Sequence, residues 1–398
     1  MFNFKGLPRS VFYLGLVSLF ADISSEAIYP ILPFFLTKTL GVSLVFIGLL
    51  EGVAEAISSL TKVFSGFYSD KFKNKFGFVF VGYFISMLRS TIGFATAPWQ
   101  ILAVRFSDRL GKGIRTAPRD AWLAQYTTEK TRGKIFGFHR GMDHFGATLA
   151  PLLATGFLFF FPEEYRMLFI LTFIPGFLSL FFVMKAIKAS RSEESRNEPI
   201  DEIKKQISFR DIKKLPRSFY YFLFVLMIFT LSNSADAFII LRLHDAGISE
   251  VWIPSLWAAL NLIKMLSTFW AGGFSDKVGA KKAVLLGWAV YLACYICFAF
   301  SNHMYLILFS FLFYGVYFGL TEAPEKSLIT ALAPISLRGT AFGLYHLIVG
   351  LGTLPASAIC GFLWQRFGAS YGLGFAVLST ILSIILFLPF RVQEVKNV

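Results

Sequence analysis

GFYSDK, residues 66–71, returns as GGFSDK at residues 272–277, an offset of 206 residues. Two further motif pairs keep this offset. APRD at residues 117–120 returns as APEK at residues 323–326, and RGKIFG at residues 132–137 returns as RGTAFG at residues 338–343. Similarity at one fixed distance, over about 70 residues of each half, is the mark of an internal repeat. The sequence therefore indicates a duplicated chain.

The composition is typical of a membrane protein. Of the 398 residues, 56% are hydrophobic and 16% are charged, which a soluble domain of this length does not usually show. A helix needs roughly 20 residues to cross a hydrocarbon core of about 30 Å. Apolar runs of this length predict twelve helices, near residues 10–37, 42–68, 76–97, 98–127, 135–162, 166–187, 217–245, 250–275, 281–302, 303–332, 338–365 and 370–391.

One long polar stretch separates the predicted helices into two sets of six. The expected fold is an all-α membrane protein with two pseudo-symmetric six-helix bundles, residues 1–188 and 217–398, joined by a linker over residues 189–216. Such parallel halves predict a binding cavity between them near the membrane midplane. Within the linker, isoleucines at helical spacing suit a short surface helix, and a solvated linker is an equally good interpretation.

The distribution of basic residues predicts the orientation. Roughly 24 lysines and arginines lie in the termini and in alternate loops, whereas the other loops contain only four. The positive-inside rule then places both termini and the linker in the cytoplasm. We expect the membrane to be a bacterial inner membrane. The net charge of +14 is explained without a nucleic-acid partner.

The fourth predicted helix contains the densest cluster of charge. At 100° per residue its seven charged side chains occupy an arc of about 140°. A charge that faced hydrocarbon would cost several kcal/mol, so this stripe predicts a helix that faces an aqueous interior. We assign a substrate-binding role to Arg105, Asp108, Arg109, Lys112 and Arg115. For Arg119 and Asp120, a cavity position and an ordinary position at the membrane interface are both open.

Other predicted helices also contain acidic residues. Coupling to protons requires a carboxylate that titrates near physiological pH. The candidates, led by Glu26, are Glu26, Asp22, Asp143, Glu51, Glu55 and Asp236. Glu322 and Glu325 are added to the substrate-binding set. For Glu26 and Asp143, a structural role in packing is an equally good interpretation. The basic stripe would lose its attraction for an anion if it were neutralised by Glu51, Glu55, Glu322 and Glu325.

Three motifs resemble those of the major facilitator superfamily of secondary transporters. The loop GFYSDKFKNK at residues 66–75 resembles the signature after the second helix, and GGFSDKVGAKK at residues 272–282 is its counterpart. Lys73 stands where that pattern has a glycine. RFSDRLGKG at residues 105–113 resembles the motif of the fourth helix, and GATLAPLLAT at residues 146–155 a weakened antiporter motif.

This resemblance implies the twelve-helix fold and alternating access. It also implies that Asp70 and Lys71, with Asp276 and Lys277, latch the cytoplasmic ends of helices in one conformation. Transport would need no cofactor and would be driven by an ion gradient, expected to be of protons. The expected partners are a small-molecule substrate and the lipid bilayer, with the protein acting as a monomer.

The sequence leaves the identity of the substrate and the direction of transport open. The leading hypothesis is proton-coupled export of a small organic solute, anionic or amphipathic. An uptake symporter for an anionic metabolite and a transporter of a siderophore or metal chelate are alternatives. A membrane receptor or enzyme without transport is the rival from another class, although the sequence contains neither HExxH nor GxSxG.

Overall fold

The computed structural model describes residues 7–29, 31–32, 35–36, 44–194, 209–234, 236–248 and 253–391. Within these ranges the chain is all-helical and has no strand, which confirms the predicted fold class. The α-helices are α1 Arg9–Glu26, α2 Leu44–Lys71, α3 Lys75–Met87, α4 Pro98–Ala124, α5 Arg132–Phe160, α6 Tyr165–Leu171, α7 Phe173–Glu194, α8 Arg217–Thr230, α9 Ala237–Asp245, α10 Ile253–Val278, α11 Ala280–Phe300, α12 Met304–Leu332, α13 Arg338–Phe367 and α14 Ala369–Phe387. Short 3₁₀ segments span Leu88–Phe94, Phe209–Lys214 and Ile335–Leu337.

Two predicted helices are interrupted four residues before a proline. α1 ends at Glu26 and α6 ends at Leu171, where Pro30 and Pro175 follow. A proline lacks the N–H that would bond the carbonyl four residues earlier, and its ring crowds that carbonyl. The predictions of continuous helices over residues 10–37 and 166–187 were therefore wrong at these points. Prolines inside α4, α5, α12 and α13 do not interrupt their helices.

The predicted helix over residues 217–245 is also two helices, α8 and α9. Polar residues lie between them, and the hydroxyl of Ser232 donates a hydrogen bond of 2.6 Å to the carbonyl of Phe229. Short polar side chains of this kind compete with the helix for backbone groups. Most of the linker residues assigned to a surface helix lie outside the described ranges. Within the described part, residues 209–214 form a 3₁₀ segment.

Six helical stretches in the described ranges are long and apolar enough to cross a membrane. They are residues 75–94, 165–193, 280–300, 304–332, 335–367 and 369–387. α4 is not among them, as expected for a helix with seven charges between Arg105 and Asp120.

The chain divides into two compact units. Unit 1 contains residues 1–126, 142–212 and 336–343, and unit 2 contains residues 127–141, 213–335 and 344–398. The start of α5 thus belongs to unit 2 and the start of α13 to unit 1. The predicted bundle boundaries, which ignore this exchange of helix ends, stay predictions.

The same helix neighbours recur in both units. In unit 1, α4 packs against α2 and α3, and α7 packs against α1 and α3. In unit 2, α12 packs against α10 and α11, and α14 packs against α8 and α11. Each unit has a large buried aromatic side chain: Trp122 packs on Phe76 at 4.6 Å, and Trp288 stacks on Phe229 at 4.5 Å between ring centroids. The repeat read from the motifs is therefore also a repeat in packing.

Candidate functional site

The charged face of α4 lines a small polar cleft in unit 1. Five α4 residues form one wall, Arg105, Asp108, Arg109, Lys112 and Arg115. The other walls come from α1, the turn after it and the first 3₁₀ segment, which contribute Asp22, Ser25, Glu26, Tyr29 and Arg89. The structure thus brings the stripe predicted from helical periodicity together with two of the acids assigned to proton coupling.

An ion pair between Arg89 and Asp108 lies in the wall of this cleft. Arg89 Nη2 is 3.0 Å from Asp108 Oδ1, and only 6% and 5% of the two side chains is exposed. The Nε–H of Arg89 also donates a 2.7 Å hydrogen bond to the carbonyl of Ser86. Arg105 approaches the other carboxylate oxygen at 3.9 Å. Charges buried this deeply persist only when they are paired and hydrogen-bonded, so the pair is a fixed part of the wall.

Arg115 is held by its neighbours on α3. Its guanidinium stacks over the ring of Tyr83 at 4.2 Å and donates a hydrogen bond to the hydroxyl of Ser86. Arg105, Asp108 and Arg115 are all buried, whereas Arg109 is half-buried and Lys112 is exposed. Within the stripe, Arg109 and Lys112 are therefore the basic side chains most accessible to a solute.

The cleft is small in this conformation. Its volume is about 30 Å³, which leaves room for one or two water molecules. Its lining contains five cationic side chains and three carboxylates. An organic solute can enter only if side chains or helices move, and it then meets an excess of positive charge.

Arg119 and Asp120 are buried inside unit 1, and their depth in the membrane stays a prediction. Their exposed fractions are 6% and 0%, and Arg119 Nη2 lies 3.1 Å from Asp120 Oδ1. Arg119 also donates to the hydroxyl of Tyr83 at 3.4 Å. Asp143 of α5 belongs to the same region, because it interacts electrostatically with Arg119 and accepts a hydrogen bond from the hydroxyl of Ser18.

The remaining coupling candidates have different surroundings. Asp22 and Glu26 are half-buried in the cleft. Asp236 is half-buried in unit 2, where the hydroxyl of Tyr314 donates to its carboxylate at 3.4 Å. The side chains of Glu51 and Glu55 on α2 lie outside the described residues.

The two glutamates of α12 lie in unit 2. Glu322 forms a two-pronged ion pair with Arg140, in which Nε is 2.9 Å from Oε2. Glu325 is 5% exposed and accepts a 2.8 Å hydrogen bond from the hydroxyl of Tyr345. Both carboxylates therefore have defined protein partners in this conformation.

Sequence reasoning missed a cluster of buried tyrosines in unit 2. Tyr291 stacks on Tyr295 at 4.1 Å, and Tyr314 stacks on Tyr317 at 5.6 Å, on α11 and α12. The hydroxyl of Tyr291 donates to the carbonyl of Ser232 at 2.7 Å. Tyrosines three and four residues apart share one helix face, and that spacing was the available signal. The cluster adds polar aromatic side chains to the interior of unit 2, which also contains charged residues.

Lys264 of α10 is packed among aromatic rings. Its ammonium lies 3.8 Å from the centroid of Phe318 and 5.3 Å from that of Trp257. A cation over an aromatic face is stabilised by the ring quadrupole. This lysine is another charged residue that the site assignment from sequence did not include.

The residues predicted to form the latch occupy equivalent positions in the two units. In unit 1, Asp70 Oδ1 accepts from the Gly339 N–H at 3.1 Å, and Oδ2 accepts from the N–H and hydroxyl of Thr340 at 2.7 and 2.9 Å. In unit 2, Asp276 accepts from the N–H groups of Gly133 and Lys134 at 2.6 and 2.8 Å. Each carboxylate thus caps the positive end of a helix. Lys71 and Lys277 are exposed beside them.

Comparison with known proteins agrees with this arrangement of helices. A family model of the Major Facilitator Superfamily matches residues 14–357 and, a second time, residues 243–397. The chain belongs to the Major Facilitator Superfamily. As a member of this family it is an integral membrane transporter of a small molecule and not an enzyme.

Several relatives align along most of their length. The chain is 33% identical over 395 residues to the uncharacterized MFS-type transporter MJ1317 of Methanocaldococcus jannaschii, covering 96% of this chain and 95% of the relative. It is 25% identical over 360 residues to the cis,cis-muconate transport protein of Acinetobacter baylyi, covering 83% and 81%. The structure of the human organic anion transporter MFSD10 has a TM-score of 0.75 at 14% identity, covering 95% and 99%, and that likeness shows the fold.

Proposed function

We propose that this secondary transporter exports a small organic anion in exchange for protons. The observation that carries the proposal is the lining of the unit 1 cleft, with five cationic side chains against three carboxylates. Arginine binds carboxylates through two parallel hydrogen bonds, which favours a carboxylate solute over a neutral one. Arg109 and Lys112, the two less buried bases, are the residues that would contact it.

The names of two similar proteins support an anionic substrate. One relative is a transport protein for cis,cis-muconate, and one structure of the same fold is that of an organic anion transporter. Muconate is a planar dicarboxylate, so two basic side chains of one cleft can each bind one end. We therefore take this dianion as the probe for the experiments below.

Glu26 is the proposed proton carrier. It lies in the same cleft as the basic stripe, half-buried and one helical turn from Asp22. A carboxylate whose surroundings alternate between wet and desolvated gains and loses its proton as they change. Asp143, buried against Ser18 and near Arg119, is the second choice because it already has a cation nearby.

Exchange rather than co-transport is proposed from the antiporter-like motif on α5. A Cβ at Gly146 would lie 2.5 Å from the carbonyl oxygen of Leu19, so α5 and α1 approach more closely here than a side chain permits. The motif therefore packs α5 against α1, one of the helices that line the cleft.

We further propose a monomer in a bacterial inner membrane with both termini in the cytoplasm.

Transport into proteoliposomes with an imposed pH gradient tests the proposal. With an acidic lumen, an antiporter accumulates external labelled cis,cis-muconate as protons leave, whereas passive weak-acid partition opposes that accumulation. The dimethyl ester of muconate has the same carbon skeleton without charge and serves as the neutral control. Uptake only with an acidic exterior would indicate a symporter, and no movement in either gradient would contradict the assignment of an anion exporter.

A further inference from the structure

A second recess lies on the outside of unit 1, between α3 and α7. It is an open groove of about 350 Å³, within the size range of ligand sites, lined by Phe80, Met184, Ile187, Lys188 and Arg191. None of these residues belongs to the cleft on α4. The groove is apolar along its floor and basic at one end.

The basic end has no acidic counterpart within the part of the chain that the structure describes. Lys188 and Arg191 are exposed, in the last two turns of α7, and form no ion pair there. The neighbouring carboxylate of Glu193 is engaged by α1, where it accepts from the Arg9 N–H at 3.0 Å and the Ser10 hydroxyl at 2.6 Å. The groove therefore presents two positive charges to any molecule that enters it.

The same face of α7 is apolar for the rest of its length. Phe177, Phe181 and Met184 are 51%, 37% and 48% exposed, and Lys188 follows at the same helical spacing. On α3, Phe84 is 46% exposed one turn beyond Phe80. In a membrane protein these side chains face acyl chains, and the stripe changes from hydrocarbon to cation at the end of α7 that the positive-inside pattern assigns to the cytoplasm.

We infer that this groove binds an acidic phospholipid. Its phosphate would contact Lys188 and Arg191, and the part of an acyl chain nearest the head group would lie along Phe80 and Met184. An acyl chain matches the apolar floor, and an anionic head group matches the cationic end. Anionic lipids are concentrated on the cytoplasmic leaflet, and basic recesses between membrane helices suit their head groups. The inference rests on membrane embedding and the groove, and it is independent of the transported solute.

Lys185 provides a matched control on the same helix. It is an exposed lysine one turn before Lys188, but its ammonium lies 5.2 Å from the ring of Phe181 and it does not line the groove. If anionic lipid were attracted only by the general charge of the helix end, substitution of either lysine would reduce lipid binding equally. If the groove binds the lipid, only substitution of Lys188 should reduce it.

Native mass spectrometry of the full chain, delipidated in detergent and titrated with dioleoylphosphatidylglycerol or dioleoylphosphatidylcholine, tests the inference. We expect one phosphatidylglycerol to be retained in preference to phosphatidylcholine. Lys188→Ala with Arg191→Ala should weaken its retention about thirtyfold, the equivalent of ~1 kcal/mol for each basic side chain. Lys185→Ala should leave retention unchanged. Both substituted residues are exposed, and a melting curve of each variant confirms that it folds.

Four results would overturn the inference. One is equal retention of the two lipids, and another is an equal loss in Lys185→Ala and the double variant, which would reduce the effect to general charge. The third is displacement of the lipid by millimolar inorganic phosphate, which would make the site one for free anions. A fourth is lipid binding that appears only after Glu198→Gln, Asp201→Asn and Glu202→Gln, which would assign the groove to the acidic side chains of residues 198–202 of this chain.

Discussion

Asp70 and Asp276 stand 206 residues apart at equivalent positions of the repeat, and each caps a helix whose first turn comes from the other copy of the sequence. The donors are equivalent as well, since Gly133 and Gly339 differ by the same 206 residues. The short motifs shared by the two halves therefore encode one contact that is made twice.

Removal of the charge at Asp70 should destabilise the conformation described here more than the same change at Asp276. Asp70 is 4% exposed and accepts three hydrogen bonds, whereas Asp276 is half-buried and accepts two. We expect Asp70→Asn to cost about 2 kcal/mol and to lower the melting temperature in detergent by about 2–3 °C. Lys71→Ala and Lys277→Ala should be neutral, and a larger loss in either lysine variant would show that the lysines belong to the latch.

Lys73 pays a conformational cost that its repeat partner avoids. Its φ is 51°, and the equivalent Gly279 has φ 92°, so both loops need the left-handed region. A residue with a side chain is strained there by roughly 1–2 kcal/mol. Lys73→Gly should therefore raise the melting temperature by about 1 °C, after part of the gain is offset by unfolded-chain entropy. Gly279→Ala should lower it by about 2 °C. A decrease in Lys73→Gly would mean that the lysine side chain stabilises the loop.

The Arg89–Asp108 pair should behave as one unit in a double-mutant cycle. Asp108→Leu leaves a buried guanidinium without its nearest carboxylate, and such a loss costs about 3–5 kcal/mol. Arg89→Met should cost a similar amount, and the double variant should be less destabilised than the sum of the two single variants. Melting temperatures of the four proteins measure the coupling. Additive effects would indicate that Asp108 depends on Arg105 and its other basic neighbours instead.

Glu26→Gln should uncouple transport from the pH gradient. The amide has no group that ionises in this pH range, so gradient-driven accumulation of muconate should be lost while exchange of labelled for unlabelled muconate continues. Both are measured in the same proteoliposomes. Glu164→Gln, an exposed site outside the cleft, is the matched control and should keep both activities. Unchanged accumulation in Glu26→Gln would move the coupling role to another carboxylate, with Asp143 next.

Arg109→Ala should weaken binding of muconate about tenfold and leave binding of its dimethyl ester unchanged, because one charge-assisted hydrogen bond is worth roughly 1.5 kcal/mol or more. Thermal shifts with each ligand give the two affinities. Arg109→Lys retains the charge and should recover part of the loss. An equal loss for both ligands would indicate that Arg109 is a structural partner of the cleft wall.

The features that could be predicted from the sequence are those set by local periodicity or by repetition. The charged stripe of α4 follows from helical spacing alone, so Arg105 to Arg115 could be placed on one face. The duplication was visible in six-letter motifs. The prolines that follow Glu26 and Leu171 were a signal for the helix breaks at these residues. Four other helices contain a proline without a break, so the presence of a proline does not tell a broken helix from a continuous one.

The partners of the charges could not be predicted. Arg89, on a 3₁₀ segment, pairs with Asp108 on α4, and Arg140 pairs with Glu322, 182 residues away. Which base meets which acid depends on how helices rotate and cross, and one sequence has no record of that. The tyrosine cluster was missed for a related reason, since a tyrosine in an apolar helix suits lipid, interface and interior equally well.

The crossed caps mean that each predicted half contains a carboxylate whose donors lie in the other half. Residues 1–188 contain Asp70 but not the amides of Gly339 and Thr340, and residues 217–398 contain Asp276 but not those of Gly133 and Lys134. A half-molecule expressed alone leaves one carboxylate without its donors and one helix end without its anion. Two separately expressed halves would each supply the hydrogen-bond donors that the other half's carboxylate lacks, which favours their reassociation without the linker peptide.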